Sequence, residues 1–137
     1  MEIILLRHGK PDVELKGNLN AVEIKQLVSV YAQSSVQDSP PENLKDRFKG
    51  HYIVCSDLAR STQSAIKLGV NKIHLSDALF KETNVPHFDQ GVIKIPVTAW
   101  LIILRVMWLI GFKKNGESFV SSKHRAKEAT NKLIALA

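Results

Sequence analysis

The sequence predicts an α/β domain: a three-layer arrangement in which a mainly parallel sheet is flanked by helices. Two observations lead there. Short apolar runs alternate with stretches of helical periodicity, in the order strand, helix, strand, helix, strand. Two of the three apolar runs also end in residues suited to anion chemistry, Arg7-His8-Gly9 and Ser56-Asp57-Leu58-Ala59-Arg60. Sheets of this class bind ligands beyond the carboxyl ends of their strands. A length of 137 residues suits a single domain over 1–137.

The elements follow in order. Residues 2–6 (Glu-Ile-Ile-Leu-Leu) read as a short buried strand, broken by Gly9 and Pro11. Asn20 is placed to cap a helix over 21–31, with Glu23 completing a capping box and Ile24, Leu27, Val28 and Tyr31 forming the apolar face. Residues 33–50 are polar, contain Pro40-Pro41, and predict a loop with a short helical turn. Tyr52 to Cys55 predict a second strand. Ser56-Asp57 then read as a helix cap, with the helix running from Leu58 to Leu68 and ending at Gly69. Residues 72–75 predict a third strand, and 76–91 a long connection holding Glu82, Pro86 and His87. A strongly apolar helix over 97–111 follows. After Gly116, a last helix begins at Glu117-Ser118 and runs to the C-terminus.

Composition narrows the classes of function. Hydrophobic residues make up 45% and charged residues 23%, so the chain can build a core and disorder is excluded. One cysteine, Cys55, permits no internal disulfide. The apolar run Ile3–Leu6 is too short for a secretory signal, so a cytoplasmic location is the expectation. The formal charge of +6 suits an anionic partner. The basic residues are scattered, with no zinc-finger spacing and no aromatic-flanked basic block. A small phosphorylated ligand therefore explains the charge better than nucleic acid does.

A histidine just after a buried strand is held by rigid backbone. Its neutral imidazole is a competent nucleophile toward phosphorus, and an adjacent guanidinium grips phosphate oxygens. His8 and Arg7 fit these roles, and Gly9 permits close backbone approach. The segment from Ser56 to Ala65 opens a helix, whose N-terminus offers free N–H groups to an anion, and Arg60 adds a second guanidinium there. His51, His74 and His124 read as structural or solvated, His87 as at most a substrate contact, and Cys55 as core.

With these residues in place, the chain resembles the histidine phosphatase superfamily, also called phosphoglycerate mutase-like. Leu5-Leu6-Arg7-His8-Gly9 is similar to its opening motif. Ser56-Asp57-Leu58-Ala59-Arg60-Ser61-Thr62-Gln63-Ser64-Ala65 is similar to its Ser-x-Leu-x-Arg-(Ser/Ala)-x-x-(Ser/Thr)-Ala segment. Leu79-Phe80-Lys81-Glu82 resembles the segment with the acidic proton donor, and Gly116-Glu117-Ser118, with Arg125, resembles the start of its last helix. The resemblance implies that His8 carries a transient phosphohistidine, that Arg7 and Arg60 bind the phosphoryl oxygens, and that Glu82 protonates the leaving oxygen. It implies no cofactor and no metal, and a phosphomonoester or a phosphohistidine on a phosphoprotein as substrate. The mutase branch fits less well: Lys10-Pro11 follows Arg-His-Gly, and the mutase-like Trp-Asn pair is missing.

One departure from the pattern bears on activity. The family carries a second histidine, in a His-Gly pair after a further apolar strand, and these 137 residues hold no His-Gly pair after His8-Gly9. The expectation is a C-terminally incomplete member with an unpaired sheet edge, impaired as an enzyme and prone to pair with another chain. The alternative function is a catalytically silent phosphate-binding or interaction module. For the stretch from Pro96 to Phe112, a membrane span would carry Arg105 near its middle, at a cost of roughly 2.5–3.5 kcal/mol. The preferred reading is a helix packed on the sheet or capping the site, with Trp100, Leu104, Met107, Trp108 and Gly111 along one face. Any exposed remainder of this helix would serve as a homo-oligomer contact, as would the unpaired sheet edge.

Overall fold

The computed structural model describes residues 2–137. It is mixed α/β. In chain order the elements are β1 (Asn18–Leu19), α1 (Ala21–Gln33), β2 (Val54–Cys55), α2 (Ala59–Lys67), β3 (Leu75–Ser76), β4 (Ile95–Pro96), α3 (Val97–Leu109) and α4 (Phe119–Leu136). Single 3-10 turns lie at Glu42–Leu44 and Ala78–Phe80. Strand β2 pairs in parallel with β3, Val54 opposite Leu75 and Cys55 opposite Ser76, and β1 pairs antiparallel with β4. Among the described residues no helix is long and apolar enough to cross a membrane.

The chain divides into two compact units. One comprises Met1–Asp12, Ala32–Lys81 and Glu128–Ala137; the other comprises Val13–Tyr31 and Glu82–Lys127. In the second unit, Ala21, Ile24, Val97, Trp100 and Leu104 form a buried cluster, with Leu19, Leu27, Phe88, Ile95 and Leu101 packed against it. Two sequence features fix this core. The capping box forms as predicted: Asn20 Oδ1 accepts the N–H groups of Val22 and Glu23 at 3.0 Å, and Glu23 Oε2 accepts the Asn20 N–H at 2.8 Å. The predicted face of α3 is also the buried one, and its Trp100 satisfies its indole N–H on the Leu19 carbonyl at 2.6 Å. The C-terminal end of α3 is tied to the start of α4. There Trp108 Nε1 donates to the Glu117 carbonyl at 2.8 Å, and its ring stands edge-on to Phe119.

Gly116 lies so close to the 85–86 backbone that a Cβ on it would come within 2.8 Å of Pro86 N and 2.9 Å of the Val85 carbonyl carbon. Beside it, Glu117 holds Arg125 in a fork, Nε to Oε1 at 2.9 Å and Nη2 to Oε2 at 2.7 Å. That pairing raises the already high pKa of Arg125. The Gly116-Glu117-Ser118 sequence thus builds a structural junction, with Ser118 Oγ capping α4 through the Ser121 N–H at 3.1 Å.

Four local expectations are corrected. Residues 2–6 form no strand: the segment has no ladder partner, and Ile3, Ile4, Leu5 and Leu6 are all exposed. An apolar run becomes a strand only when a neighbour accepts its backbone bonds, and among the described residues β2 pairs with β3 alone. The second strand is likewise shorter than predicted, since Tyr52 is exposed and pairing starts at Val54. The cap of α2 is Leu58 with no side-chain hydrogen bond, rather than Ser56-Asp57, and the helix starts at Ala59. Its end is as predicted, at Gly69 with φ +81°. The third strand begins three residues late, at Leu75, where the parallel register with β2 sets in.

Candidate functional site

The Arg-His-Gly tripeptide is anchored from two directions in the first unit. On one side the 9–12 segment runs antiparallel to residues 35–38. The Gln37 N–H donates to the Lys10 carbonyl, the Asp12 N–H to the Ser35 carbonyl, each at 2.9 Å, and Pro11 bridges to Val36. The Lys10 N–H also donates to Asp38 Oδ1 at 2.7 Å. On the other side the Gly9 N–H donates to Ser64 Oγ on α2 at 3.0 Å, and that hydroxyl donates onward to the Arg60 carbonyl at 2.7 Å. Gly9 permits this close packing, since a Cβ would meet Val36 Cγ1 at 2.5 Å and the Asp38 carboxylate, and those side chains would have to shift.

Lys67, from the last turn of α2, clamps the same loop. Its ammonium donates to the carbonyls of Val36 at 2.9 Å and Asp38 at 2.7 Å, while Gln63 Oε1 accepts the Val36 N–H at 2.9 Å. Sequence reasoning missed Gln63, Lys67 and Asp38. The first two do lie on the motif-bearing helix, one turn apart, and that spacing was the available signal.

His8 is half-buried, and its Nδ1 lies 2.7 Å from the Gly9 carbonyl. A carbonyl can only accept, so Nδ1 is the donor in this contact. Arg7 and His8 share a cavity of about 490 Å³ with Ser56, Ser61 and Ser64. The cavity continues along the 2–6 segment, past Tyr52 and Val54 to Phe80 and Leu133. Arg7 also borders a smaller cavity of about 160 Å³, beside Pro40 and Lys67.

The other predicted site residues stand differently. Arg60 is on α2 as expected, but its side chain is 3% exposed and its Nη1 donates to the Ala32 carbonyl at 2.9 Å. It lines neither cavity. Glu82 is an exposed residue of the second unit. Cys55 is buried beside β3, as its core reading requires, and burial pushes its thiol up. His87 is half-buried, while His51, His74 and His124 are exposed. His74 accepts the Ile53 N–H at 2.9 Å and stacks on Tyr52, a structural role at the head of the β2–β3 pair. Among the described residues no three His, Cys, Asp or Glu side chains gather as a metal site.

Comparison with known proteins adds no relative: no family model, no curated protein and no solved structure matches this chain.

Proposed function

We propose that this chain is a phosphatase-type domain of the phosphoglycerate mutase-like kind, acting on a phosphomonoester or a phosphohistidine through His8. The observation that carries the reading is the Gly9 N–H to Ser64 Oγ bond, which joins the Arg-His-Gly segment to the helix bearing the Ser56–Ala65 motif. Arg7, His8, Ser56, Ser61 and Ser64 then line one cavity of ligand size. In the reaction, His8 Nε2 attacks phosphorus as the bond to the leaving oxygen breaks. Arg7 balances the charge on the phosphoryl oxygens, and water later releases phosphate from the imidazole. The parallel β2–β3 pair, with α2 following β2, agrees with the α/β layering this reading needs.

Rapid acid-free quenching after mixing with radiolabelled p-nitrophenyl phosphate should trap acid-labile label on the wild-type chain and none on His8→Ala. Equal labelling of the two proteins would remove His8 from the chemistry.

A second reading draws on Arg60. Its guanidinium is spent on the Ala32 carbonyl, so the cavity has one fixed cation, Arg7, instead of two. This favours a module that binds phosphate without turning it over. Losing one donor aimed at a transition state typically costs about 10²–10³ in rate. Titration with vanadate separates the two readings: binding that weakens in Arg7→Ala, without any label on His8, supports the silent module.

A further inference from the structure

Helix α3 is apolar on both sides, and the core uses only one of them. Trp100, Leu104 and Val97 are buried, and Leu101, Met107 and Trp108 are half-buried. Ile102, Val106, Leu109 and Ile110, together with Ile103, fall within about 120° of arc on the opposite side at 3.6 residues per turn. All five are exposed, Ile102 by 65% and Ile110 by 78%. A helix that is apolar all round is normally covered all round.

The charges around this face point to what covers it. Residues 90–116 contain no carboxylate and four cations: Lys94, Arg105, Lys113 and Lys114. Arg105 is exposed at the border of the outward face, and Lys113 follows the helix after Gly111; neither makes an ion pair among the described residues. The nearest carboxylates are already engaged. Asp89 holds Lys25 at 2.7 Å and Asn115 at 2.6 Å and feels the charge of Lys114, while Glu117 is forked onto Arg125.

We infer that the outward face of α3, with Arg105 and Lys113, is a docking surface for an anionic lipid bilayer. Aliphatic chains rimmed by unneutralised cations match an acyl layer beneath anionic headgroups. The geometry is that of a helix lying on the surface. Thirteen residues rise about 20 Å, against a hydrocarbon core of about 30 Å. A second copy fits less well, because a two-fold contact through this face would gather two copies each of Arg105 and Lys113 with no carboxylate in residues 90–116 to pair them. A protein partner fits less well too. Binding hot spots favour Trp, Tyr and Arg, and both tryptophans of α3 lie on its inner side.

The test is sedimentation of the full chain with vesicles of phosphatidylcholine alone, or of phosphatidylcholine with about one third phosphatidylserine. Binding should require phosphatidylserine and should fall steeply between about 0.1 M and about 0.5 M salt. Arg105→Gln/Lys113→Gln should weaken it about thirtyfold, at roughly 1 kcal/mol per cation near an anionic surface. Ile102→Asp/Ile110→Asp should abolish it while circular dichroism stays native, since both positions are exposed. Several outcomes overturn the proposal: no sedimentation with phosphatidylserine vesicles at low salt, binding indifferent to both double variants, or a dimer in light scattering that Ile102→Asp/Ile110→Asp dissolves. Binding to an acidic protein with no vesicle binding does so as well.

Discussion

Two apolar stretches of this chain meet opposite fates. Ile24 and Leu104, on α1 and α3, are fully buried against each other's cluster, whereas Leu5, in an equally apolar run, is 80% exposed. Hydrophobic character is the same in both; the difference lies in what each can recruit. The helices satisfy their own backbone groups and need only a packing surface, so burial costs them little beyond side-chain order. The 2–6 run must find strand partners before its side chains can be buried, and among the described residues it has none.

The widest separation between the regions should come from truncating one leucine in each. Leu104→Ala removes atoms from a closed core and should cost about 2–5 kcal/mol, whereas Leu5→Ala should change stability by less than about 0.5 kcal/mol. Urea unfolding followed by circular dichroism measures both. Equal losses would mean that the 2–6 run is buried in solution and that the contrast drawn above is false.

A smaller effect is expected at Gly116, where the second unit brings two backbone stretches together. An alanine Cβ there meets Pro86 N at 2.8 Å, and backbone atoms cannot turn aside as a side chain can. Gly116→Ala should cost about 1–3 kcal/mol in the same urea assay. No loss would show that the 85–86 and 116 strands of chain part freely, and that the core of this unit is less rigid than the first comparison supposes.

The contrast explains what was legible in the sequence. The capping box of α1 was readable because Asn20 and Glu23 bond within three residues, where local spacing decides the outcome. The inner face of α3 was readable because helical periodicity is also local. The state of residues 2–6 was not, since it depends on partners far away in sequence. The candidate site divides along the same line. That the Arg7-His8-Gly9 segment lies beside the helix bearing the Ser56–Ala65 motif could be read from motif and order, although the strand expected before it does not form. The direction of the Arg60 guanidinium could not, because the carbonyl that takes it belongs to Ala32, at the end of a different helix. The bare Leu58 cap was likewise hidden behind Ser56 and Asp57, whose residue types signal a cap wherever they stand.

The smallest effect concerns acid. Three carboxyls are held below their ordinary range: Asp77 by Lys132 and then the Leu79 N–H, Asp89 by Lys25 and then Asn115, and Glu23 chiefly by the Asn20 N–H. A folded pKa below the unfolded one contributes stability that is fully present above the unfolded value, near 4, and is lost as pH falls through the folded value. Asp77 belongs to the unit with the exposed run, Glu23 and Asp89 to the unit with the closed core, so acid loosens both. Asp77→Asn keeps a side-chain oxygen for the Leu79 N–H but drops the charge facing Lys132. Its stability should therefore fall less steeply than wild type as pH drops below about 4. Parallel pH profiles would show that the Lys132 contact carries no linkage.

The placement of the two indoles sets what light can report about this protein. Trp100, bonded to the Leu19 carbonyl, and Trp108, bonded to the Glu117 carbonyl, both belong to the unit of Val13–Tyr31 and Glu82–Lys127. The sequence has no other tryptophan. Intrinsic tryptophan emission therefore watches the interior around α3 and its junction with α4. A tryptophan introduced at exposed Tyr52, on the wall of the Arg7–His8 cavity, would give the unit that holds His8 an indole of its own.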